Sequence, residues 1–347
     1  MMPIRDRSEI QTLTARAPAK LIISGEHSVL YGQPALALAV DCYTTTTTTW
    51  RDTPHIHFKL LDLAYSKSHT SIALRNLAKD LRHNYSGFLH GKSSIGSVLK
   101  RPFELLQYSV SNLLDYLNVQ LPRGLEIAVD SNIPIGCGMG SSAAALLSTV
   151  YALTNFLNFK WPRDDYVTFT REMENLQHGK SSGLDLHLAT YGGYARFKDG
   201  VAQVLAVPNI KLQIVNTGKP SSTTGECVSA VAASFVNDPN LAIKFGNITN
   251  NIEQAISENN LEALKQGIKD NHRLLKHIGV VPNLVAKFIE EIEASGGAAK
   301  ICGAGAVTGD NAGVVLLVSD IDMQDIVDKY GYKLQNVQVD LYGTQIL

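Results

Sequence analysis

Apolar and polar positions along this chain follow two periods, one typical of strands and one typical of helices. Residues 20–24 and 34–43 are almost continuously apolar, which predicts two buried strands joined by a polar turn at residues 25–33. The threonine run Thr44–Thr49 follows directly. Because threonine is β-branched and suits a half-exposed strand, this run predicts that the second strand continues rather than ending in coil. Residues 55–100 have weak periodicity and predict no definite element.

Helical spacing of apolar residues first becomes clear at residues 101–117. Residues 124–130 alternate as a strand, and a glycine-rich loop then leads into a strongly apolar helix at residues 143–157. A further helix is predicted at residues 162–177, because Pro162 suits the first helical position and acidic residues in the first turn suit the helix dipole. The first half of the chain therefore mixes strands with helices.

The second half of the chain shows the same mixture. Residues 191–206 predict a hairpin that turns at Asp199-Gly200, and a domain boundary is predicted near residues 205–210. Beyond the boundary the pattern predicts three helices and then two strands, at residues 227–246, 250–277, 282–294, 299–305 and 312–320. These patterns predict an α+β or α/β fold.

Composition narrows the functional classes. Lysine and arginine total 31 against 32 for aspartate and glutamate, so the net charge is -1, whereas a nucleic-acid-binding protein is expected to carry a basic face. No apolar run of about 18 residues predicts a membrane span. The N-terminal residues MMPIRDRSEIQTL contain no apolar run that could serve as a signal peptide. The cysteines are widely spaced and predict free buried thiols in a reducing cytoplasm rather than a zinc site or a disulfide framework: Cys42, Cys137, Cys227 and Cys302.

The strongest candidate site is the loop between the strand at residues 124–130 and the apolar helix. Its residues are Gly136, Cys137, Gly138, Met139, Gly140, Ser141 and Ser142. Glycine allows backbone N–H groups to turn towards a ligand, and the free amides and dipole of the following helix attract an anion. The loop is therefore predicted to bind phosphate, with the Ser142 hydroxyl available to Mg²⁺. It matches neither G-K-[ST] nor G-x-G-x-x-G, and a tight turn into a packed helix is the alternative.

Two further stretches carry candidate chemistry. Lys20 begins an apolar strand, where a cation is costly unless it is paired, and Glu26 and His27 follow in the turn. Glu174 lies at a helix end, and Asp185 follows a turn of small residues, where a carboxylate could accept a hydroxyl proton or bind a metal. Taken singly, these residues are equally well explained as surface-turn residues or helix caps.

A second glycine-rich turn follows a predicted strand at residues 300–314, with the sequence K-I-C-G-A-G-A-V-T-G-D-N-A-G-V. Such a turn is often a plain hairpin connection. A glycine loop in a second domain could also flank the substrate or the nucleotide opposite the first loop.

In this order, the four stretches resemble the GHMP kinase superfamily, which includes galactokinase, homoserine kinase, mevalonate kinase and phosphomevalonate kinase. The resemblance spans roughly residues 15–318 and is strongest for the mevalonate kinase family. It is carried by A-P-A-K-L-I-I-S-G-E-H-S-V-L-Y-G at 17–32, P-I-G-C-G-M-G-S-S-A-A at 134–144 and H-G-K-S-S-G-L-D at 178–185. The last motif departs from the family's H-G-x-P-S-G-x-D, because Ser181 stands in place of the proline.

The resemblance implies an α+β fold with two lobes and an active site in the cleft between them. The N-terminal lobe, residues 1–207, would be similar to ribosomal S5 domain 2, and the C-terminal lobe, residues 208–347, would be ferredoxin-like. ATP would bind at the loop Gly136–Ser142. The resemblance also suggests a homodimer, and it implies no nucleic-acid or membrane partner.

The same resemblance assigns the remaining roles. Asp185 would take up or orient the proton of the substrate's primary hydroxyl, with Lys20 beside it, and both roles for Asp185 stay open. Mg²⁺ would be held by Ser142 and Glu174. The substrate, (R)-mevalonate in the mevalonate kinase family, would be contacted by Glu26, His27 and Thr223 or Thr224.

One departure keeps alternatives open. Mevalonate kinases carry G-x-G-G-G-G at the second glycine turn, whereas residues 303–313 read GAGAVTGDNAG and include the acidic Asp310. A phosphomevalonate kinase or a sugar kinase is therefore the second interpretation, with Lys180 and Lys219 as cations for a phosphorylated substrate. A catalytically inactive metabolite sensor is a third, and it is disfavoured because the predicted acid and metal ligands are all present.

Overall fold

The computed structural model of the chain describes residues 2–3 and 11–347. Most of the N-terminal segment that is predicted to contain no signal peptide lies outside these described residues. Of the helices that the structure describes, none is long and apolar enough to cross a membrane.

The described residues form strands and α-helices throughout. The strands are β1 (Met2–Pro3), β2 (Thr12–Ser24), β3 (Ala35–Arg51), β4 (Ile56–Leu60), β5 (Tyr65–His69), β6 (Val119–Gln120), β7 (Gly124–Ser131), β8 (Tyr194–Lys198), β9 (Val201–Leu205), β10 (Leu212–Asn216), β11 (Ala298–Ile301), β12 (Val314–Val318), β13 (Lys333–Val337) and β14 (Gln345–Ile346). The helices are α1 (Ser71–Leu89), α2 (Glu104–Tyr116), α3 (Ser141–Phe156), α4 (Arg163–His178), α5 (Leu184–Tyr191), α6 (Thr224–Asn237), α7 (Leu241–Ser257), α8 (Leu261–His277), α9 (Asn283–Ala294) and α10 (Gln324–Lys329).

The larger sheet has eight strands and is built around β3, which is 17 residues long. β3 pairs antiparallel with β2 along most of its length, with β8 through its first residues and with β7 through its last. Thr44, Thr46 and Thr48 are buried, whereas the threonines between them are partly exposed. The threonine run is therefore a strand, as predicted, and every second side chain along it points into the protein.

The smaller sheet has four antiparallel strands in the order β11-β12-β10-β13. Along the chain these strands and their helices follow the order βαββαβ, in which α6–α9 separate β10 from β11 and α10 precedes β13. This is the order of a ferredoxin-like unit, which confirms the prediction for the second lobe. The two sheets together confirm the α+β class.

Helix α3 is the central element of the first lobe. It is apolar on nearly all sides, and a helix of this kind is expected to be buried. It lies against β2 and β3 and contacts α2, α4 and α5. The buried helix fixes its own N-terminus in place, and the glycine-rich loop ends there.

The last residues of the chain return to the larger sheet. β14 pairs antiparallel with β2, and Val339 bridges Val40. The Asp340 carboxylate is 4% exposed and accepts hydrogen bonds from the Tyr342 and Gly343 N–H groups at 3.0 and 2.6 Å and from the Tyr43 hydroxyl at 2.8 Å. The lobe division at residues 207 and 208 stays a prediction, and this segment lies with the larger sheet rather than the smaller one.

The helices of the second half differ from their predicted bounds. The single helix predicted at 227–246 is two helices, because Asp238 is extended ahead of Pro239, as residues before proline usually are. The predicted helix 250–277 is also interrupted: Asn259 has a φ of 50°, and Asn260 caps α8 by accepting a hydrogen bond from the Ala263 N–H. The apolar period runs through both breaks, so periodicity alone does not reveal them.

Residues 55–100, for which the sequence pattern predicts no definite element, contain β4, β5 and α1, and β2 begins at Thr12, well before the predicted strand at residues 20–24. Other elements lie close to their predicted positions. The hairpin β8–β9 turns at Asp199-Gly200, where both residues have positive φ. α4 begins at Arg163, one residue later than predicted, since Pro162 caps the helix in an extended conformation. All four cysteine side chains are buried and unpaired, as expected.

The Asp340 carboxylate is expected to hold the C-terminal segment in place. Asp340→Ala removes three hydrogen bonds to a carboxylate. Because a single hydrogen bond of this kind is worth about 1.5–3 kcal/mol, the free energy of unfolding should fall by at least about 3 kcal/mol. Urea denaturation measures this change. Asp80→Ala, at an exposed position of α1, serves as the control and should change stability by less than about 0.5 kcal/mol. Equal denaturation midpoints for the two variants would contradict the assignment.

Candidate active site

The loop from β7 into α3 has the geometry of an anion-binding cradle. Gly136, Gly138 and Gly140 have φ values of 71°, 86° and 70°, which L-residues with side chains rarely adopt. In the part of the chain that the structure describes, the N–H groups of Gly138, Met139 and Gly140 donate no hydrogen bond. Together with the free amides of the first turn of α3, these groups can receive phosphate oxygens.

The second glycine turn packs directly on this loop. A Cβ atom on Gly138 would lie 2.6 Å from the carbonyl oxygen of Cys302, and one on Gly313 would lie 2.7 Å from that of Cys137. The Val314 N–H donates to the Cys137 carbonyl at 3.2 Å. The structure therefore brings the two predicted glycine-rich stretches together, and backbone lies against backbone where any side chain would clash.

Lys20 and Asp185 meet at the other end of the loop. The Lys20 ammonium donates to Asp185 Oδ1 at 2.7 Å, and the side chains are 10% and 27% exposed. The Lys20 N–H donates to the Met139 carbonyl at 3.0 Å. A Cβ on Gly140 would lie 3.2 Å from Asp185 Oδ2, so the pair sits against the loop where α3 begins. These three sequence stretches therefore form one site.

Glu174 is buried beside this pair. Its side chain is buried, and it accepts hydrogen bonds from the Ser142 hydroxyl at 3.3 Å and from the Ser181 hydroxyl at 2.8 Å. Burial, followed by the neighbouring charge of Asp185, raises the pKa of Glu174 to about 7. A buried carboxylate in this setting is short of positive charge.

The residues present fit Mg²⁺. A carboxylate and a hydroxyl oxygen are ligands that this hard cation prefers, and a dication would compensate the buried charge of Glu174. Among the described residues, no group of three or more His, Cys, Asp or Glu side chains could hold a metal ion. Mg²⁺ at Ser142 and Glu174 would therefore complete its coordination with phosphate oxygens and water, as Mg²⁺ commonly does.

Glu26 does not face an open pocket. Its carboxylate forms an ion pair with Lys300 on β11, and both side chains are fully buried. Lys300 also donates to the carbonyl of Ile22 at 3.3 Å. The alternative explanation of Glu26 as a surface-turn residue is wrong, because its carboxylate is buried as the partner of a lysine in an apolar strand. A contact between Glu26 and substrate stays a prediction.

His27 is buried next to this ion pair. Its Nε2–H donates to the carbonyl of Ala304 at 3.1 Å, and Nδ1 has no partner among the described residues. The pKa of His27 is lowered to about 4, mainly by burial; the hydrogen bond to Ala304 opposes this shift and the charge of Lys300 adds to it. The imidazole is therefore neutral at neutral pH, with Nδ1 as a free acceptor.

Thr223 and Thr224 begin helix α6 and are exposed. Thr223 forms a capping box with Glu226: its hydroxyl accepts from the Glu226 N–H at 3.3 Å, and its N–H donates to the Glu226 carboxylate at 2.7 Å. The Thr223 hydroxyl therefore has a local structural role. Substrate contacts by either threonine stay predictions.

The two candidate lysines lie in different places. A Cβ on Gly136 would lie 3.4 Å from Lys219 Cε, so the Lys219 side chain runs along the start of the phosphate loop. This is the opposite end of the loop from Asp185. Lys180 is exposed in the turn after α4.

A cavity opens beside the first half of the loop, between the two sheets. Its lining combines apolar side chains with amide, carboxylate and ammonium groups: Asp62, Ser131, Asn132, Ile133, Pro134, Ile135, Ile214, Asn216, Lys333 and Gln335. Sequence reasoning assigns no role to residues 55–100 or to β13, and it therefore misses this cavity. It also misses Lys300, although the argument applied to Lys20, a cation in an apolar strand, applies to Lys300 as well.

Comparisons with known proteins agree with this geometry. Residues 104–193 match the family model described as "GHMP kinases N terminal domain". The chain is 26% identical over 306 residues to a mevalonate kinase of Pyrococcus horikoshii, covering 85% of this chain and 87% of the relative. It is 28% identical over 295 residues to a mevalonate kinase of Methanocaldococcus jannaschii, covering 83% and 87%.

The fold comparison covers almost the whole chain. The crystal structure of the Methanococcus jannaschii mevalonate kinase superposes with a TM-score of 0.79 at 25% identity, covering 96% of this chain and 99% of that one. The phosphate loop, α3, Glu174 and Asp185 all lie within the matched family domain. The chain therefore has the GHMP kinase fold, and its residues 104–193 match the N-terminal domain model of those kinases.

The buried ion pair of Glu26 and Lys300 is expected to be a major determinant of stability. Glu26→Gln leaves the Lys300 ammonium buried without a counter-ion, which typically costs about 3–5 kcal/mol. The double variant Glu26→Gln with Lys300→Met should regain part of this loss. Urea denaturation measures both, with Glu126→Gln as the control, since the Arg51–Glu126 pair is 34% exposed on each side and should contribute at most about 1 kcal/mol. A loss in Glu26→Gln no larger than in Glu126→Gln would refute this role.

Proposed function

We propose that this protein, an ATP-dependent small-molecule kinase with the GHMP kinase fold, transfers the γ-phosphoryl group of ATP to the primary hydroxyl of (R)-mevalonate. The products would be 5-phosphomevalonate, a precursor for isoprenoid synthesis, and ADP. The observation that carries the proposal is the Lys20–Asp185 pair at the end of the phosphate loop. The relatives named mevalonate kinase support the choice of substrate.

Phosphoryl transfer depends mainly on alignment and on charge neutralisation. In the proposed complex, the loop amides and the first turn of α3 bind the phosphates of ATP. Ser142 and Glu174 would hold Mg²⁺, which would supply positive charge next to the phosphates. These contacts would direct the γ-phosphoryl group towards the end of the loop, where Asp185 lies.

Asp185 Oδ1 is occupied by the Lys20 ammonium, which leaves Oδ2 as the acceptor for the substrate hydroxyl. In this position the carboxylate can orient the hydroxyl oxygen towards phosphorus and receive its proton. Lys20 keeps the carboxylate in place and supplies positive charge near the transferring group. The backbone N–H of Lys20 donates a hydrogen bond to the Met139 carbonyl in the phosphate loop. The residues proposed to bind ATP and those proposed to bind the acceptor hydroxyl are therefore held together.

The cavity beside the first half of the loop is the proposed site of the adenine base. Amide groups of Asn132, Asn216 and Gln335 can both donate and accept hydrogen bonds, as an adenine edge requires. Ile133 and Ile135 offer apolar surface for the ring. Such a mixture of apolar walls and a few polar groups is typical of small-molecule sites.

A phosphorylated substrate is less well supported. It would need cations close to Asp185, whereas Lys219 lies at the far end of the loop. The position of Lys219 instead suits a phosphate of the nucleotide. A cytoplasmic location and a homodimer are parts of the proposal that rest on the free thiols and on the family resemblance.

The substrate proposal is tested with an ADP-release assay on mevalonate, phosphomevalonate, homoserine and galactose. Turnover is expected with mevalonate alone, and turnover with another compound but not mevalonate would refute the proposal.

Asp185→Asn should lower kcat by about three orders of magnitude, within the range of a general base, while ATP still binds in a titration. Asp165→Asn, at an exposed position of α4, serves as the control.

Lys219 is expected to contact the nucleotide rather than the acceptor. Lys219→Met should raise the KM for ATP about tenfold, which corresponds to about 1.4 kcal/mol of lost charge–phosphate interaction, and leave the KM for mevalonate within twofold. Steady-state kinetics with each substrate varied in turn measure this split. Lys198→Met, at an exposed position of β8, is the matched control. A rise confined to the KM for mevalonate would place Lys219 on the acceptor side instead.

A further inference from the structure

Ser181 is the residue at which this chain departs from the family motif, and every polar group of Ser181 has a partner. The hydroxyl donates to Glu174 Oε2 at 2.8 Å and accepts from the Gly183 N–H at 3.2 Å. The backbone N–H donates to Asn175 Oδ1 at 2.7 Å, and the carbonyl accepts from Arg171 at 3.2 Å. The side chain is only 7% exposed, so these contacts are made largely out of water.

We propose that Ser181 is a positioning residue for the metal site: its hydroxyl fixes the Glu174 carboxylate so that Oε1 points to Ser142 and to Mg²⁺. This inference rests on the proposed function, because it concerns the metal that the kinase reaction requires. It assigns to a serine of this chain a task that the proline of the family motif could not perform, since proline has neither a hydroxyl nor an N–H.

The two hydrogen bonds to Glu174 are unequal. The Ser142 hydroxyl is 3.3 Å from Oε1, at the long end of the range, whereas the Ser181 hydroxyl is 2.8 Å from Oε2. With Ser142 Oγ and Glu174 Oε1 both directed towards a metal ion, Glu174 Oε2 would still be bound by the Ser181 hydroxyl. Ser181 therefore provides the shorter of the two hydroxyl hydrogen bonds to the buried carboxylate, and it binds the oxygen away from the metal.

The same hydroxyl connects the proposed metal ligand Glu174 to Asp185. Ser181 Oγ accepts from the N–H of Gly183, the residue that precedes α5, and Asp185 lies in the first turn of α5. Glu174 lies on α4, whose neighbouring residues Arg171 and Asn175 hold the backbone of Ser181 from the same helical face. Ser181 therefore sets the position of Glu174 relative to Asp185.

Partners that orient a metal ligand typically change metal affinity 10–100-fold when they are removed. The test uses the full chain with Mn²⁺ as the probe and a non-hydrolysable ATP analogue at saturation, with free Mn²⁺ measured by electron paramagnetic resonance. Ser181→Ala is expected to weaken Mn²⁺ binding about tenfold, at the lower end of that range. Affinity for the nucleotide without metal should stay within twofold, because the loop amides that bind phosphate are untouched.

Ser109→Ala provides the matched control. Ser109 is buried on α2 and also donates a hydrogen bond of 2.8 Å, but to the carbonyl of Leu106. Its loss should change thermal stability to a similar extent and leave Mn²⁺ binding unchanged. If Ser181→Ala does not fold, Ser181→Cys, which has a similar volume and only a weak donor, takes its place in the same measurement.

The outcomes separate this inference from the proposed function. Mn²⁺ affinity in Ser181→Ala equal to that of the wild type, or lowered equally in Ser109→Ala, would overturn the role of Ser181 even if the wild type phosphorylates mevalonate. A wild type that binds Mn²⁺ and nucleotide but does not turn over mevalonate would refute the proposed substrate, and a tenfold loss in Ser181→Ala alone would still support the role of Ser181.

Discussion

The site depends on the contact between two glycine turns, one from each sheet. The phosphate loop ends the larger sheet's strand β7, and the turn at residues 303–313 joins β11 to β12 in the smaller sheet. Gly138 and Gly303 approach so closely that a Cβ on either would fall within 3 Å of the opposing backbone. Neither turn can carry a side chain at these glycine positions. The contact therefore fixes the position of the phosphate loop and joins the two lobes at the phosphate site.

The glycines that are kept in the second glycine turn are explained by this contact. The glycines that meet the first loop, Gly303 and Gly313, are both present, since a side chain would clash at each. Val307 and Asp310 lie further along the turn and are exposed. The turn therefore keeps glycine where it touches the phosphate loop, and it varies at the exposed Val307, Thr308 and Asp310 and at the buried Ala306.

Local sequence patterns predicted much of the fold. They did not predict which distant strands and side chains pair with each other. The threonine strand, the buried helix α3 and the hairpin at Asp199-Gly200 follow from periodicity and turn chemistry within a few residues. The short β14 pairs with β2 across almost the whole chain, and no local pattern predicts such a partner. The same holds for Glu26 and Lys300, whose pairing joins residues that are 274 positions apart.

The two carboxylates of the site differ in their surroundings, and this difference assigns their roles. Asp185 is partly exposed and already has a cation, Lys20, so it is available to a neutral hydroxyl without a further counter-charge. Glu174 is buried, the donors that the described residues supply to it are serine hydroxyls, and burial together with Asp185 raises its pKa to about 7. A dication at Glu174 would offset the unfavourable burial of the negative carboxylate, whereas a dication at Asp185 would compete with Lys20. Active sites often give two neighbouring acids different roles by placing them in different environments. Here the environments favour the metal ion at Glu174 and the acceptor hydroxyl at Asp185.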